Sequence, residues 1–221
     1  TLAKNYSKTL ALVEEILFEP RWDATEFELI KKSVVGNLRQ QDASPTTIAN
    51  NVYNELIYGK ENIRAKNILG TIESVEKITL NDLKDFYKNY FSPSVSKMHF
   101  VGDINKENVL ASLENLSTSW EAKEVVIPTY KTPEVPTEST VYFYDVPKAK
   151  QSVINFGAPA LAITDEDYYP ATVMNYILGG GGFASQLTQE LREGKGYTYG
   201  IRSSFSGTKA KGTFTISSGV R

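Results

Sequence analysis

The sequence contains no cysteine and one histidine, His99. Without thiols there is no disulfide and no thiolate metal site, and that suits a reducing or an oxidising compartment equally. A catalytic zinc usually takes three protein ligands, imidazole prominent among them, so a complete zinc site inside this chain is not expected. Charge of one sign is also missing. The 24 Lys and Arg stand against 26 Asp and Glu, for a net charge of -2. That balance argues against nucleic acid or an anionic membrane surface as partner, since both favour a basic stripe. No apolar run reaches the roughly 18 residues of a membrane span. The opening Thr1-Leu2-Ala3-Lys4 lacks an initiator Met and a signal-peptide profile, and it leads straight into a helical pattern. The other end, Thr213 to Ser217, alternates like a strand with no closing element after it. The expectation is an internal piece of a longer protein.

What is present is an ordinary globular composition, with 41% hydrophobic and 23% charged residues over 221 positions. That length can bury a sizeable core in one or two domains. Leu10, Leu12, Val13, Ile16 and Leu17 recur at helical spacing, and Pro20 marks the stop. Asp23 sits at an N-cap position ahead of Phe27, Ile30, Val34, Val35 and Leu38, and Ser44-Pro45 opens the helix from Ile48 to Ile57. Thr79-Leu80-Asn81-Asp82 resembles a shortened capping box before Leu83, Phe86, Tyr87 and Tyr90. Met98 to Val101 reads as a strand, with Gly102-Asp103 as a turn and Val109 to Leu113 as another helix. His99, inside that strand pattern, is expected to be structural or solvated rather than a metal ligand. From 121 to 138 the prolines Pro128, Pro133 and Pro136 among Thr and Glu suggest an extended linker. Beyond it, Val141 to Tyr144 and Ser152 to Phe156 read as strands, and Tyr168 to Leu178 and Phe183 to Arg192 as helices. Tyr199 to Phe205 and Gly212 to Ser217 form a hairpin around Gly207. The expected fold class is α+β.

The quartet Gly179, Gly180, Gly181 and Gly182 follows a helix and lacks a Gly-Lys-Ser/Thr ending, so a phosphate loop is the weaker reading and a tight turn the stronger. The wider segment, Asn-Tyr-Ile-Leu-Gly-Gly-Gly-Gly-Phe-Ala-Ser-Gln-Leu and then Gln-Glu-Leu-Arg-Glu-Gly-Lys-Gly-Tyr-Thr-Tyr-Gly, resembles the C-terminal domain signature of the insulinase/pitrilysin zinc peptidases. The first half agrees. Pro20-Arg21-Trp22-Asp23, Ala43-Ser44-Pro45, Gly70-Thr71-Ile72-Glu73-Ser74, Phe91-Ser92-Pro93 and Val101-Gly102-Asp103-Ile104 are similar to the later half of that family's N-terminal domain. Each motif alone is weak, but their shared order is strong.

The resemblance implies two-layer α/β sandwich halves of a processing peptidase-like fold. Residues 1–120 would be the mainly helical end of a first domain, 121–138 the linker, and 139–221 the start of a second, substrate-contacting domain. It implies that Arg192 and Tyr199 contact the substrate backbone near the scissile carbonyl, with Gly179 to Gly182 as a substrate-binding loop. Taken alone, Arg192 reads as a helix-terminal cation and Tyr199 as a strand residue; Lys195 and Arg202 read as solvated. The family's His-x-x-Glu-His motif is absent. Its third zinc ligand, a Glu, aligns with Asn37. Zinc is therefore expected in the parent enzyme or its partner, not in this fragment. Two readings stay open: part of an active zinc metalloendopeptidase, or a catalytically degenerate domain that binds peptides or scaffolds an active subunit. The implied partners are an unfolded or short peptide and a zinc-carrying domain or subunit, with self-association of the fragment through an uncovered apolar helix face. A soluble protein of the bacterial cytoplasm or periplasm is the expected setting.

Overall fold

The computed structural model describes all 221 residues, Thr1–Arg221. Its fold is α+β: helices throughout and one small antiparallel sheet. The chain divides into two compact units, each discontinuous in sequence. One holds 1–35 and 73–128, the other 36–72 and 129–221. These units do not coincide with the contiguous blocks 1–120 and 139–221 read from the sequence.

The first unit is helical. Helices α1 (Tyr6–Phe18), the start of α2 (Ala24–Asp42), most of α4 (Ile72–Lys77), α5 (Leu80–Tyr90), α6 (Lys106–Ser112) and α7 (Glu114–Ser119) belong to it. Local chemistry sets the boundaries. The Asp23 carboxylate accepts from the Thr25 and Glu26 amides, and Thr79 with Asp82 closes a reciprocal capping box on α5. That exchange holds the Asp82 carboxyl below its usual range, through the Thr79 hydroxyl first and its amide second. Leu10, Val75, Val109 and Leu116 are buried. Edge-to-face aromatic pairs, Tyr6 with Phe100 and Trp22 with Tyr87, join distant segments. The Tyr6 and Ser112 hydroxyls lie 2.8 Å apart. Much of the apolar stripe stays outside, including Leu12, Ile16 and Phe86.

The second unit carries the sheet. Its strands are β1 (Ser152–Pro159), β2 (Thr198–Phe205) and β3 (Thr213–Val220), in the order β1-β3-β2 with antiparallel pairing throughout. Helix α3 (Pro45–Tyr58), capped by Ser44 as expected, lies against β1. The Tyr53 hydroxyl reaches Thr215 at 2.8 Å and occupies the space a Cβ on Gly157 would need. Helix α8 (Tyr168–Asn175) runs into a π-helical turn, Tyr176–Gly180, and α9 (Gln186–Thr188) into a second, Gln189–Gly194.

Three segments fold otherwise than their residue patterns predict. Met98 to Val101 and Val141 to Tyr144 are not strands. Alternating apolar residues make a strand only when a neighbour accepts the backbone hydrogen bonds, and neither segment pairs with a strand of the sheet. The helix expected from Phe183 to Arg192 is broken into a 3-10 turn at Gly182–Ala184, the short α9 and the π-helical stretch. Gly182, at a left-handed φ of +66°, begins this irregular stretch. No helix is long and apolar enough to cross a membrane.

Candidate peptide-gripping site

The site is assembled where the glycine quartet meets β2. A Cβ on Gly179 would lie against the Ser203 hydroxyl, 2.8 Å from a Leu187 methyl and 2.9 Å from the Ser203 backbone nitrogen. Only glycine lets the π turn come this close. Gly182, by contrast, has open space around it but a left-handed φ of +66°. The quartet therefore serves two purposes, close approach at Gly179 and a reversal at Gly182. A buried polar network fixes the loop to the strand. Asn175 donates to the Ser203 carbonyl at 3.0 Å and accepts from the Ser203 hydroxyl. Ser185 donates to the Gly182 carbonyl at 2.7 Å, and Thr188 donates to the Ile201 carbonyl at 3.4 Å. Asn175, Ser185, Thr188 and Ser203 are all buried, so these bonds run in a poorly screened setting.

This anchoring positions Arg192 and Tyr199. The Arg192 guanidinium stacks over the Phe183 ring with 4.4 Å to the centroid, and its Nε lies 3.4 Å from the Glu193 carboxylate. Its terminal nitrogens donate to nothing within the chain. After it, the Gly196 amide donates to the Arg192 carbonyl and the Tyr197 amide to the Leu191 carbonyl, with Gly196 at φ +64°. The chain thus reverses sharply into β2. At the start of that strand the pairing register slips: Thr198 faces Val220 and Ile201 faces Ser218. Tyr199 and Gly200 together oppose the single Gly219. Such a bulge re-aims side chains locally, and Tyr199 is 69% exposed.

The two residues line one open groove of about 430 Å³, shared with Gln151, Glu193, Tyr197 and Arg221. Arg192 also lines an adjoining depression of about 510 Å³ with Phe183, Thr188, Arg202 and Ser217. Arg221 donates to the Tyr199 hydroxyl oxygen at 2.9 Å and lies over its ring. That bond uses an oxygen lone pair and leaves the phenolic hydrogen available to another acceptor. The structure therefore brings Arg192, Tyr199 and Gly182 to adjoining cavities, while Gly179 to Gly181 act behind them. Arg221, Phe183 and the bulge were not found from the sequence. Phe183 follows the glycines directly, but only the fold places its ring beneath Arg192.

The residues present do not fit zinc. No three or more His, Cys, Asp or Glu side chains gather in a group that could hold a metal. Asn37, exposed on α2, offers only a neutral amide. His99 is exposed as well.

Comparison with known proteins identifies the lineage. A family model described as the peptidase M16 inactive domain matches residues 77–221. The chain belongs to the M16 peptidase family. This is the insulinase/pitrilysin group that its motifs resemble. Among relatives, a Helicobacter pylori protein described as a non-peptidase homolog, YmxG, is 28% identical over 90% of this chain and 46% of its own length. A Bacillus subtilis protein described as an uncharacterized zinc protease, also YmxG, is 26% identical over 98% of this chain and 51% of its own. The chain thus spans about half the length of the curated relatives it matches. Among solved structures, the peptidase M16 inactive domain from Pseudomonas fluorescens superposes with a TM-score of 0.86 at 26% identity. That match covers 99% of this chain and 52% of the other.

Proposed function

We propose that this chain is a catalytically degenerate, peptide-gripping part of an M16 peptidase, working beside a zinc-carrying domain or subunit. The observation that carries this reading is the convergence of Arg192 and Tyr199 on one open groove. The Arg192 terminal nitrogens and the Tyr199 hydroxyl hydrogen both remain available as donors. A guanidinium and a phenol are suitable donors to a carbonyl oxygen that acquires negative charge, and neither needs a metal to act. The inactive-domain description of the matching family model supports the degenerate reading over a trimmed active peptidase. So does the non-peptidase description of one relative.

In this account the chain binds an unfolded or short peptide in extended form. The carbonyls of Ile201 and Ser203 already accept from Thr188 and Asn175. The peptide therefore engages β2 at its Tyr199 end, across the groove floor, rather than along the whole strand. This chain's own side chains enter hydrolysis only as donors to the carbonyl oxygen as it gains negative charge. The test is turnover by the assembled enzyme with its zinc-carrying partner. Arg192→Ala and Tyr199→Phe should each lower kcat more than they weaken peptide binding, because loss of one such donor costs about 3–4 kcal/mol of transition-state stabilisation. Unchanged turnover in both variants would remove these residues from the function.

A further inference from the structure

The groove that holds Arg192 and Tyr199 is far more basic than the chain around it. Its two adjoining cavities are lined by three guanidinium groups, Arg192, Arg202 and Arg221, against one carboxylate, Glu193. The whole chain carries a net charge of -2, so this cationic wall is a local feature rather than a reflection of composition. The three arginines also differ in how far they are committed. Arg192 shares its Nε with the neighbouring Glu193. Arg221 is engaged only with the neutral Tyr199 hydroxyl and ring. The side chain of Arg202, exposed on β2, makes no ion pair or hydrogen bond. The nearby Lys195 is already paired with Glu190 at 2.9 Å. Two unneutralised cations therefore remain, Arg221 on one cavity and Arg202 on the other, with Arg192 lining both.

We propose that the groove selects peptides bearing carboxylate side chains, with Arg221 and Arg202 as its specificity-determining residues. Guanidinium groups suit this role because their planar fork matches a carboxylate in two parallel hydrogen bonds. Their placement sets a register. Arg221 stands beside Tyr199, so it meets a side chain next to the gripped carbonyl. Arg202 lies three positions farther along β2, roughly 10 Å for extended chain. It therefore meets a side chain two or four residues away, on the same face of an extended peptide. Tyr199 keeps its role throughout: a carboxylate drawn to Arg221 competes for that guanidinium, while the phenolic hydrogen still points to the peptide carbonyl. A basic peptide meets like charge at both ends and is rejected, which makes the groove discriminating rather than merely sticky.

This inference rests on the peptide-gripping reading, and the experiment separates the two. Three fluorescently labelled, unstructured peptides are compared by anisotropy against the full chain at low salt. They are identical except at three alternate positions on one face (i, i+2 and i+4), which carry Glu, Gln or Lys. The Glu peptide is expected to bind about tenfold more tightly than the Lys peptide, as two partly exposed ion pairs contribute about two- to fivefold each. The Gln peptide should fall between them, and the spread should shrink as salt screens the pairs. Arg202→Glu with Arg221→Glu should invert the order. Arg202→Gln with Arg221→Gln, whose folding is checked by circular dichroism, should level the three peptides. Equal binding of all three peptides by the unmodified chain would overturn the selectivity but leave the grip standing. Failure of every peptide to bind would overturn both.

Discussion

Replacing Gly179 with alanine tests whether the glycine quartet is a packing device or a flexible loop. The added Cβ would lie 2.8 Å from the Leu187 methyl, 2.9 Å from the Ser203 backbone nitrogen and closer still to the Ser203 hydroxyl. The methyl has some freedom, but the other two do not. The Ser203 side chain is held by Asn175, and its backbone belongs to β2 within the sheet. Overpacking of this kind costs about 1–3 kcal/mol. Against it stands the gain from restricting the unfolded chain, about 0.4–1 kcal/mol for Gly to Ala. The net expectation is a loss of roughly 1–2 kcal/mol, or about 2–8 °C in melting temperature for a chain of this size. Gly182→Ala is the matched control. Its Cβ meets nothing within 4 Å, and its cost is confined to a φ of +66°, about 1 kcal/mol. Thermal and urea unfolding by circular dichroism would compare them. A Gly179→Ala protein as stable as the unmodified chain, or less perturbed than Gly182→Ala, would refute the packing argument.

Self-association is expected from surface area. The chain exposes 16686 Å², whereas a compact protein of 24.6 kDa would expose roughly 10,000 Å², and two separate compact bodies of these sizes roughly 12,000 Å². Light scattering across a concentration series should show growth beyond a monomer, and a constant monomer mass would contradict this. Tyr53 supplies a pH prediction. Burial raises its pKa above the ordinary tyrosine value, with the Thr215 and Thr213 hydroxyls opposing. The folded state therefore holds the phenolic proton more tightly than the unfolded chain does. Its contribution is fully present below about pH 10 and is lost as pH rises through the raised folded value. Tyr53→Phe should flatten the alkaline arm of the stability profile, and an unchanged arm would rule this source out.

The helical starts were legible because their signals are local. Asp23, Ser44-Pro45 and Thr79 with Asp82 satisfy orphaned amides within a few residues, so the code needs no knowledge of the rest of the chain. The β2–β3 hairpin was legible for the same reason. Met98 to Val101 and Val141 to Tyr144 misled because alternation describes a strand's faces and says nothing about whether a neighbour exists. Tyr142 and Phe143, 65% and 91% exposed, have the β propensity without the partner. At the site, Arg192 and Tyr199 came through family motif spacing alone. Arg221 and the bulge opposite Gly219 depend on strand register, which sequence pattern does not encode at this resolution. The π turn at Tyr176–Gly180 is a tertiary consequence of Gly179 meeting Ser203.

The central claim is that this chain grips peptide through Arg192 and Tyr199 without a metal of its own. The direct measurement is anisotropy of a labelled, unstructured peptide titrated with the isolated chain. It is made in the presence of a chelator, then with added zinc, and repeated with the Arg192→Ala, Tyr199→Phe double variant. Saturable binding that is indifferent to chelator and zinc, and weakened in the double variant, is the predicted result. Binding that appears only with zinc, or that survives the double substitution unchanged, would contradict it.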